Sequence, residues 1–145
     1  MWRGIATEAI DWTRQHVALS PGYVAALRDI DIVEQATIPV ENTNGPVLLI
    51  SGQADHMSSP KLAEIAVRRA QQYGFPFPLE HLSYPDAGHM VANLSYLPTT
   101  VRHSRHPIRG VGVDFGGTSA GDAFGRADSW PKVLKFFRRH LTTEK

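Results

Sequence analysis

The sequence has 145 residues, 42% of them hydrophobic and 20% charged, with a formal net charge of +1 and no cysteine. That length and balance suit one globular domain with its own core and are too short for two ordinary ones. The near-zero charge gives no electrostatic reason to expect nucleic acid or an acidic membrane as partner, and the lack of cysteine excludes a disulfide framework, a zinc–cysteine site and a cysteine nucleophile within these residues.

Basic residues are spread out apart from Arg138-Arg139-His140. No apolar stretch approaches the ~20 residues of a membrane span. Residues 1–8 lack the long apolar segment of a signal peptide and include an acid, Glu8. A soluble cytoplasmic protein is the expectation.

In chain order, Ile5, Ala9, Ile10 and Trp12 suggest a short amphipathic helix within residues 1–18, with Trp2 packing nearby. Leu19-Ser20-Pro21-Gly22 reads as a turn. Tyr23, Ala26, Leu27 and Ile30 have helical spacing and predict a helix over residues 23–33. Ile38-Pro39-Val40 reads as extended, because the residue before proline avoids the helical region. A polar loop follows at residues 41–46.

Residues 45–89 organise the chain. Val47–Gly52 is apolar without alternation, which predicts a parallel strand buried on both faces. Ser58-Ser59-Pro60 reads as a serine cap with proline in the first helical turn. Leu62, Ile65, Ala66 and Ala70 would form the inner stripe of that helix, and Lys61, Glu64, Arg68, Arg69 and Gln71 its wet face. Gly74 ends it. After the stiff connector Phe75-Pro76-Phe77-Pro78, Leu79–Tyr84 reads as a second strand. A strand–helix–strand unit of this length fits a right-handed parallel crossover. Met90 begins a short helix that Pro98 stops, and residues 90–117 otherwise read as irregular, a functional or mobile loop. The last helix is read with Ala120, Phe124, Ala127, Trp130, Leu134, Phe137 and Leu141 facing inward. Pro131 predicts a kink, or a true start near Ser129.

Asp55 follows the first of these strands and His89 the second. In an open α/β sheet, reactive groups gather at the carboxyl ends of strands, and neighbouring strands lie ~4.8 Å apart. The two side chains can therefore meet. A carboxylate bonded to an imidazole fixes its tautomer and stabilises the imidazolium formed when the ring takes a proton. Gly88 reads as the residue that permits a tight turn before His89.

Ile38-Pro39-Val40-Glu41, Gly45-Pro46 with the strand that follows, Asp55, and Leu82-Ser83-Tyr84-Pro85-Asp86-Ala87-Gly88-His89 resemble the C-terminal catalytic domain of the acyl-CoA thioesterase and bile acid-CoA:amino acid N-acyltransferase family. So do Trp2-Arg3-Gly4-Ile5, Gly116-Gly117-Thr118 and Ala127-Asp128-Ser129-Trp130-Pro131, so the likeness runs nearly end to end. The resemblance implies the C-terminal part of an α/β-hydrolase fold, with Asp55 as triad acid and His89 as triad base. It implies an acyl-CoA or ester substrate and no cofactor or metal. The family's nucleophile, serine or cysteine, sits on an elbow upstream of everything matched here, as do the first strands and the usual oxyanion-hole donors. The expected organisation is one partial domain over residues 1–145, with a linker and short helices in 1–44 and the acid- and histidine-bearing sheet and final helix in 45–145.

Gly117-Thr118-Ser119-Ala120-Gly121 fits a Gly-x-Ser-x-Gly pattern, which makes Ser119 a candidate nucleophile. The glycine-rich stretch before it is a poor buried strand, so the preferred reading is that Ser119 caps the final helix. A metal site from Asp55, His89 and His103 or His106 matches no standard ligand spacing. Arg102, Arg105 and Arg109 read as a solvated basic loop, with coenzyme A phosphates as the alternative ligand. Two parallel strands cannot cover their own faces and edges. Exposed apolar surface beside the first strand is therefore expected, filled by a second copy or by the missing N-terminal half. The rival functions are another carboxylic-ester hydrolase of the dienelactone-hydrolase type, and an inactive remnant or interaction module.

Overall fold

The computed structural model describes residues 15–92, 98–107 and 110–141. In chain order these form β1 (His16–Val17), α1 (Ser20–Ala26), α2 (Ile30–Ala36), β2 (Val47–Gly52), α3 (Lys61–Gln72), β3 (Leu79–Tyr84), β4 (His103–Arg105), β5 (Gly112–Asp114) and α4 (Ser119–Leu141). Short 3₁₀ turns lie at Val40–Asn42 and His89–Ala92. The architecture is mixed α/β.

β2 and β3 pair in parallel from Val47 opposite Leu79 to Gly52 opposite Tyr84. Because the register is even, both strands end level, and the loops after them leave from one edge. The crossover is α3. Its C-terminus is a Schellman turn: the Phe75 amide donates to the Ala70 carbonyl at 2.8 Å and the Gly74 amide to Gln71 at 3.3 Å. Gly74 takes φ +63° there, a conformation that costs glycine least. Arg69 lies on the part of α3 facing the preceding loop, not on the wet face. It forms a two-pronged ion pair with Glu41, with Nε to Oε2 at 2.6 Å.

β2 departs from the sequence expectation. Val47 to Ser51 are half-buried, not buried on both faces, and only Gly52 is buried. Leu49 lines an apolar hollow of about 350 Å³ against α1, α2 and α3. Leu48 and Ile50 line another of about 410 Å³ against α4. Among the described residues β2 pairs only with β3, which leaves its outer edge without a strand.

A second, smaller sheet has the order β1–β5–β4, with β1 parallel and β4 antiparallel to β5. Within residues 90–117, expected to be irregular, His103–Arg105 and Gly112–Asp114 are therefore strands. The glycine that argued against a strand, Gly112, is needed: a methyl group on it would lie 2.6 Å from the His16 ring across the ladder. Val17, Leu19, Met90, Val113 and Phe115 form the core beneath this sheet. Tyr84, Ala87 and Val91 form a second core, joined by Ile50 and Leu82.

Residues 19–22 do not form a simple turn. Ser20 to Gly22 open α1, with Pro21 in its first turn. The helix expected over 23–33 is two helices, because the Asp29 carboxylate accepts from the Asp31 and Ile32 amides at 3.1 and 3.2 Å and starts α2 anew. Val40, expected extended, opens a 3₁₀ turn. The short helix expected after Met90 is a 3₁₀ turn as far as Ala92, and residues 93–97 lie outside the described residues. The amphipathic helix expected within residues 1–18 falls mainly on positions 1–14, also outside them.

The final helix differs most. It runs unbroken from Ser119 through Pro131 to Leu141, so it does not start near Ser129. Its buried residues are Asp122, Gly125, Arg126, Ser129 and Phe136. Phe124, Trp130, Leu134, Phe137 and Leu141, assigned to the inner face from the sequence, are exposed. Gly121 and Gly125 explain the inversion. A methyl group at either would lie 2.2 Å from the Asp86 carbonyl or 2.4 Å from the Val91 side chain. The helix thus presses its small and polar face onto the loop after β3. Among the described residues, no helix is long and apolar enough to cross a membrane.

Candidate active site

Asp55 lies three residues past β2 and His89 five past β3, and the even register brings them together. His89 Nδ1 is 3.0 Å from Asp55 Oδ2. The other carboxylate oxygen, Oδ1, accepts from the Met57 and Ser58 amides at 2.7 and 2.9 Å. Asp55 is thus fixed by its own turn, with one oxygen spent on the backbone and one on the imidazole. The Asp55 side chain is 11% exposed and that of His89 37%, so the acid sits beneath and the ring opens outward. The Asp55 hydrogen bond, aided by its charge, raises the His89 pKa above the ordinary value; partial burial opposes this but is outweighed. With Nδ1–H donated to Asp55, Nε2 is the nitrogen left to accept a proton.

The loop from β5 to α4 closes over the pair. The Phe115 carbonyl accepts from the His89 amide at 2.9 Å, and its ring lies 5.9 Å from the imidazole. The Gly117 amide donates to the Ala54 carbonyl at 2.8 Å, and Gly116 bridges to Asp55. Gly116 and Gly117 have φ of +68° and +69°. A methyl group on Gly117 would lie 2.1 Å from the Gly88 nitrogen, and one on Gly88 would lie 2.4 Å from the Gly116 carbonyl oxygen. Gly88 is not among the positive-φ glycines. Its role is to admit the facing backbone, not the turn geometry expected from sequence.

Two buried side chains of α4 reach the same loop. Asp122, 1% exposed, accepts from the Gly88 amide through Oδ1 at 2.8 Å. Arg126, also buried, donates from Nε to the Met90 carbonyl at 2.9 Å. Sequence reasoning missed both because it turned this helix the other way. The available signal was Gly121 and Gly125, four apart beside Asp122 and Arg126, a spacing that marks one helix face at close approach.

Ser119 is the first residue of α4. Thr118, not Ser119, caps the helix: its Oγ1 accepts from the Gly121 amide at 2.9 Å. Among the described residues, no hydrogen bond joins Ser119 to His89. His56 and His103 turn away from Asp55 toward Asp114, at 2.8 and 3.9 Å. Burial alone would raise the Asp114 pKa, but the Gly116 amide and His56 outweigh it and hold it below the usual carboxylate value. Among the described residues, no group of three or more His, Asp or Glu is placed to hold a metal ion. Arg105 is exposed on β4, Arg102 contributes its carbonyl to the Phe115 amide at 2.9 Å, and Arg109 lies outside the described residues.

Comparison with known proteins gives the family. A family profile described as "BAAT / Acyl-CoA thioester hydrolase C terminal" matches residues 4–143. The chain is 36% identical over 105 residues to a mouse peroxisomal succinyl-coenzyme A thioesterase, covering 72% of this chain and 24% of the relative. It is 35% identical over 105 residues to mouse acyl-coenzyme A amino acid N-acyltransferase 1, covering 72% and 24%. It is 32% identical over 109 residues to human acyl-coenzyme A thioesterase 1, covering 74% and 25%. The chain therefore spans about a quarter of the length of the curated relatives it matches. It belongs to the acyl-CoA thioesterase and bile acid-CoA:amino acid N-acyltransferase family, as a C-terminal domain.

Proposed function

We propose that this chain carries the acid and base of an α/β-hydrolase that cleaves or transfers the acyl group of a coenzyme A thioester. The observation that carries the reading is the 3.0 Å Asp55–His89 contact at the level ends of two parallel strands. The kinship with acyl-CoA thioesterases and acyltransferases supplies the substrate class. On this reading the domain is the C-terminal part of an α/β-hydrolase fold. The nucleophile comes from outside these 145 residues, from preceding sequence or from a partner that pairs with the open edge of β2.

The chemistry follows from the geometry. His89 Nε2 takes the proton of the attacking hydroxyl or thiol as its oxygen or sulfur bonds to the thioester carbonyl carbon. Asp55 stabilises the imidazolium. When the tetrahedral intermediate collapses, the carbon–sulfur bond breaks and the proton passes from Nε2 to the departing thiolate. Water or an amine, deprotonated in turn by Nε2, then releases the acyl group.

The test is to expose the chain, alone and extended by any in-frame coding sequence upstream, to a fluorophosphonate probe. Intact mass and acyl-CoA hydrolysis are then measured. The expected outcome is no adduct and no turnover for the 145 residues alone, with both gained on extension and lost again in His89→Ala. An adduct on Ser119 would move the nucleophile into this chain. An extended protein whose turnover survives His89→Ala would sink the reading.

A further inference from the structure

Asp122 and Arg126 lie one turn apart on α4, buried, with opposite charge. Isolated buried charges are costly, so they are normally held by partners that use them. Their contacts fall on either side of one residue. Asp122 accepts from the amide of Gly88, just before His89, and Arg126 donates to the carbonyl of Met90, just after it. The His89 amide itself donates to Phe115. The backbone carrying the imidazole is thus held at three successive residues, two of them by α4 side chains.

We propose that Asp122 and Arg126 are a pair of positioning residues that grip the peptide on both sides of His89 and so set its imidazole against Asp55. The proposal rests on the reading of His89 as the base. Alternatives for the two residues are poor. Helix α4 already has a threonine cap, and Gly121 and Gly125 already provide close packing against the loop. Neither feature needs a buried carboxylate or guanidinium. The hydrogen bonds are directional, and both act on the one loop whose placement decides whether Nδ1 meets Asp55. Asparagine at position 122 keeps an acceptor for the Gly88 amide without the charge, while alanine leaves that amide buried and unpaired.

The experiment follows the His89 ring by NMR across pH in the 145-residue chain and in Asp122→Ala, Asp122→Asn and Arg126→Met, with thermal unfolding measured beside it. Wild-type His89 is expected to titrate above its ordinary midpoint. Asp122→Ala should lower that midpoint by about one pH unit, because the Asp55 contact loosens. Asp122→Asn should restore most of it, and Arg126→Met should lower it by a smaller step. Hydrogen exchange of the Gly88 amide gives a second readout that needs no variant: strong protection is expected. Should Asp122→Ala fail to fold, that protection and the Asn variant decide the matter. A midpoint unmoved in a folded Asp122→Ala, or a Gly88 amide that exchanges like an open loop, would overturn the proposal. An ordinary wild-type midpoint together with turnover indifferent to His89 would instead overturn the functional reading beneath it.

Discussion

The carboxyl ends of β2 and β3 and the flanks of β2 are built in opposite ways. At the ends, backbone approaches backbone so closely that a methyl group on Gly52, Gly88, Gly116 or Gly117 would lie under 3 Å from a facing atom. Along the flanks, Leu49 on one side and Leu48 and Ile50 on the other face apolar hollows of about 350 and 410 Å³. Protein interiors ordinarily leave few voids larger than a water molecule. The Asp55–His89 geometry is therefore held by contacts internal to this chain, while beside β2 the described residues leave apolar surface open. The edge that carries Asp55 and His89 is close-packed even though, among the described residues, β2 has a strand on one side only.

The largest effect that would test this contrast comes from filling the closed end. Gly117→Val puts a branched side chain at φ +69° and within 2.1 Å of the Gly88 nitrogen. A loss of about 3 kcal/mol or more is expected in urea unfolding, from strain and displaced backbone together. Tyr84→Phe should follow at about 1 kcal/mol, since it removes the 2.7 Å hydrogen bond from the buried Tyr84 hydroxyl to Asp128. Burial, with that bond, holds the tyrosine pKa well above its usual value. A Gly117→Val variant as stable as the wild type would show that the strand-end loops are not close-packed after all.

The strand pair and the meeting of Asp55 with His89 were legible because each rests on local signals. Val47–Gly52 is a short apolar run, and Asp55 and His89 each follow a strand by a few residues. The α4 face was not legible. Apolar periodicity finds the face that seeks an apolar partner. Here that face is largely exposed, and the face meeting the loop uses glycine, serine and two buried charged residues, Asp122 and Arg126. Likewise Asp29 resembled any exposed acid, yet its cap splits one expected helix into two. Gly112 argued against a strand by propensity, while the actual constraint is the His16 ring across from it. For α4 and Gly112 a tertiary contact overrode a local preference, whereas at Asp29 a local cap did so.

At the open flank, Phe137→Ser and Trp130→Ser should change stability by no more than about 0.5 kcal/mol, because both side chains are exposed in the single chain. Their effect should instead appear in association. If the hollow between β2 and α4 receives a second copy or a further sheet, these variants will weaken self-association or capture of that segment, measured by analytical ultracentrifugation. Losses as large as that of Gly117→Val would erase the distinction between the two regions.

The smallest effect separates the regions by pH. His89 has a folded pKa above its ordinary 6.5, chiefly through the Asp55 hydrogen bond. The folded chain then holds the proton more tightly than the unfolded one. The stabilisation is complete below about pH 6.5 and fades as pH rises through the folded value. Half-exposure weakens it, so the change between pH 6 and pH 8 should be modest. Asp114, Asp128 and Glu41, whose pKa values are lowered, act in the other direction: their stabilisation is present at neutral pH and is lost only in acid. They therefore leave the pH 6–8 window to histidine. Melting temperatures across that window should fall more steeply in the wild type than in His89→Gln, and Phe137→Ser should retain the wild-type slope. Equal slopes for wild type and His89→Gln would mean that the Asp55–His89 bond does not hold the proton in solution.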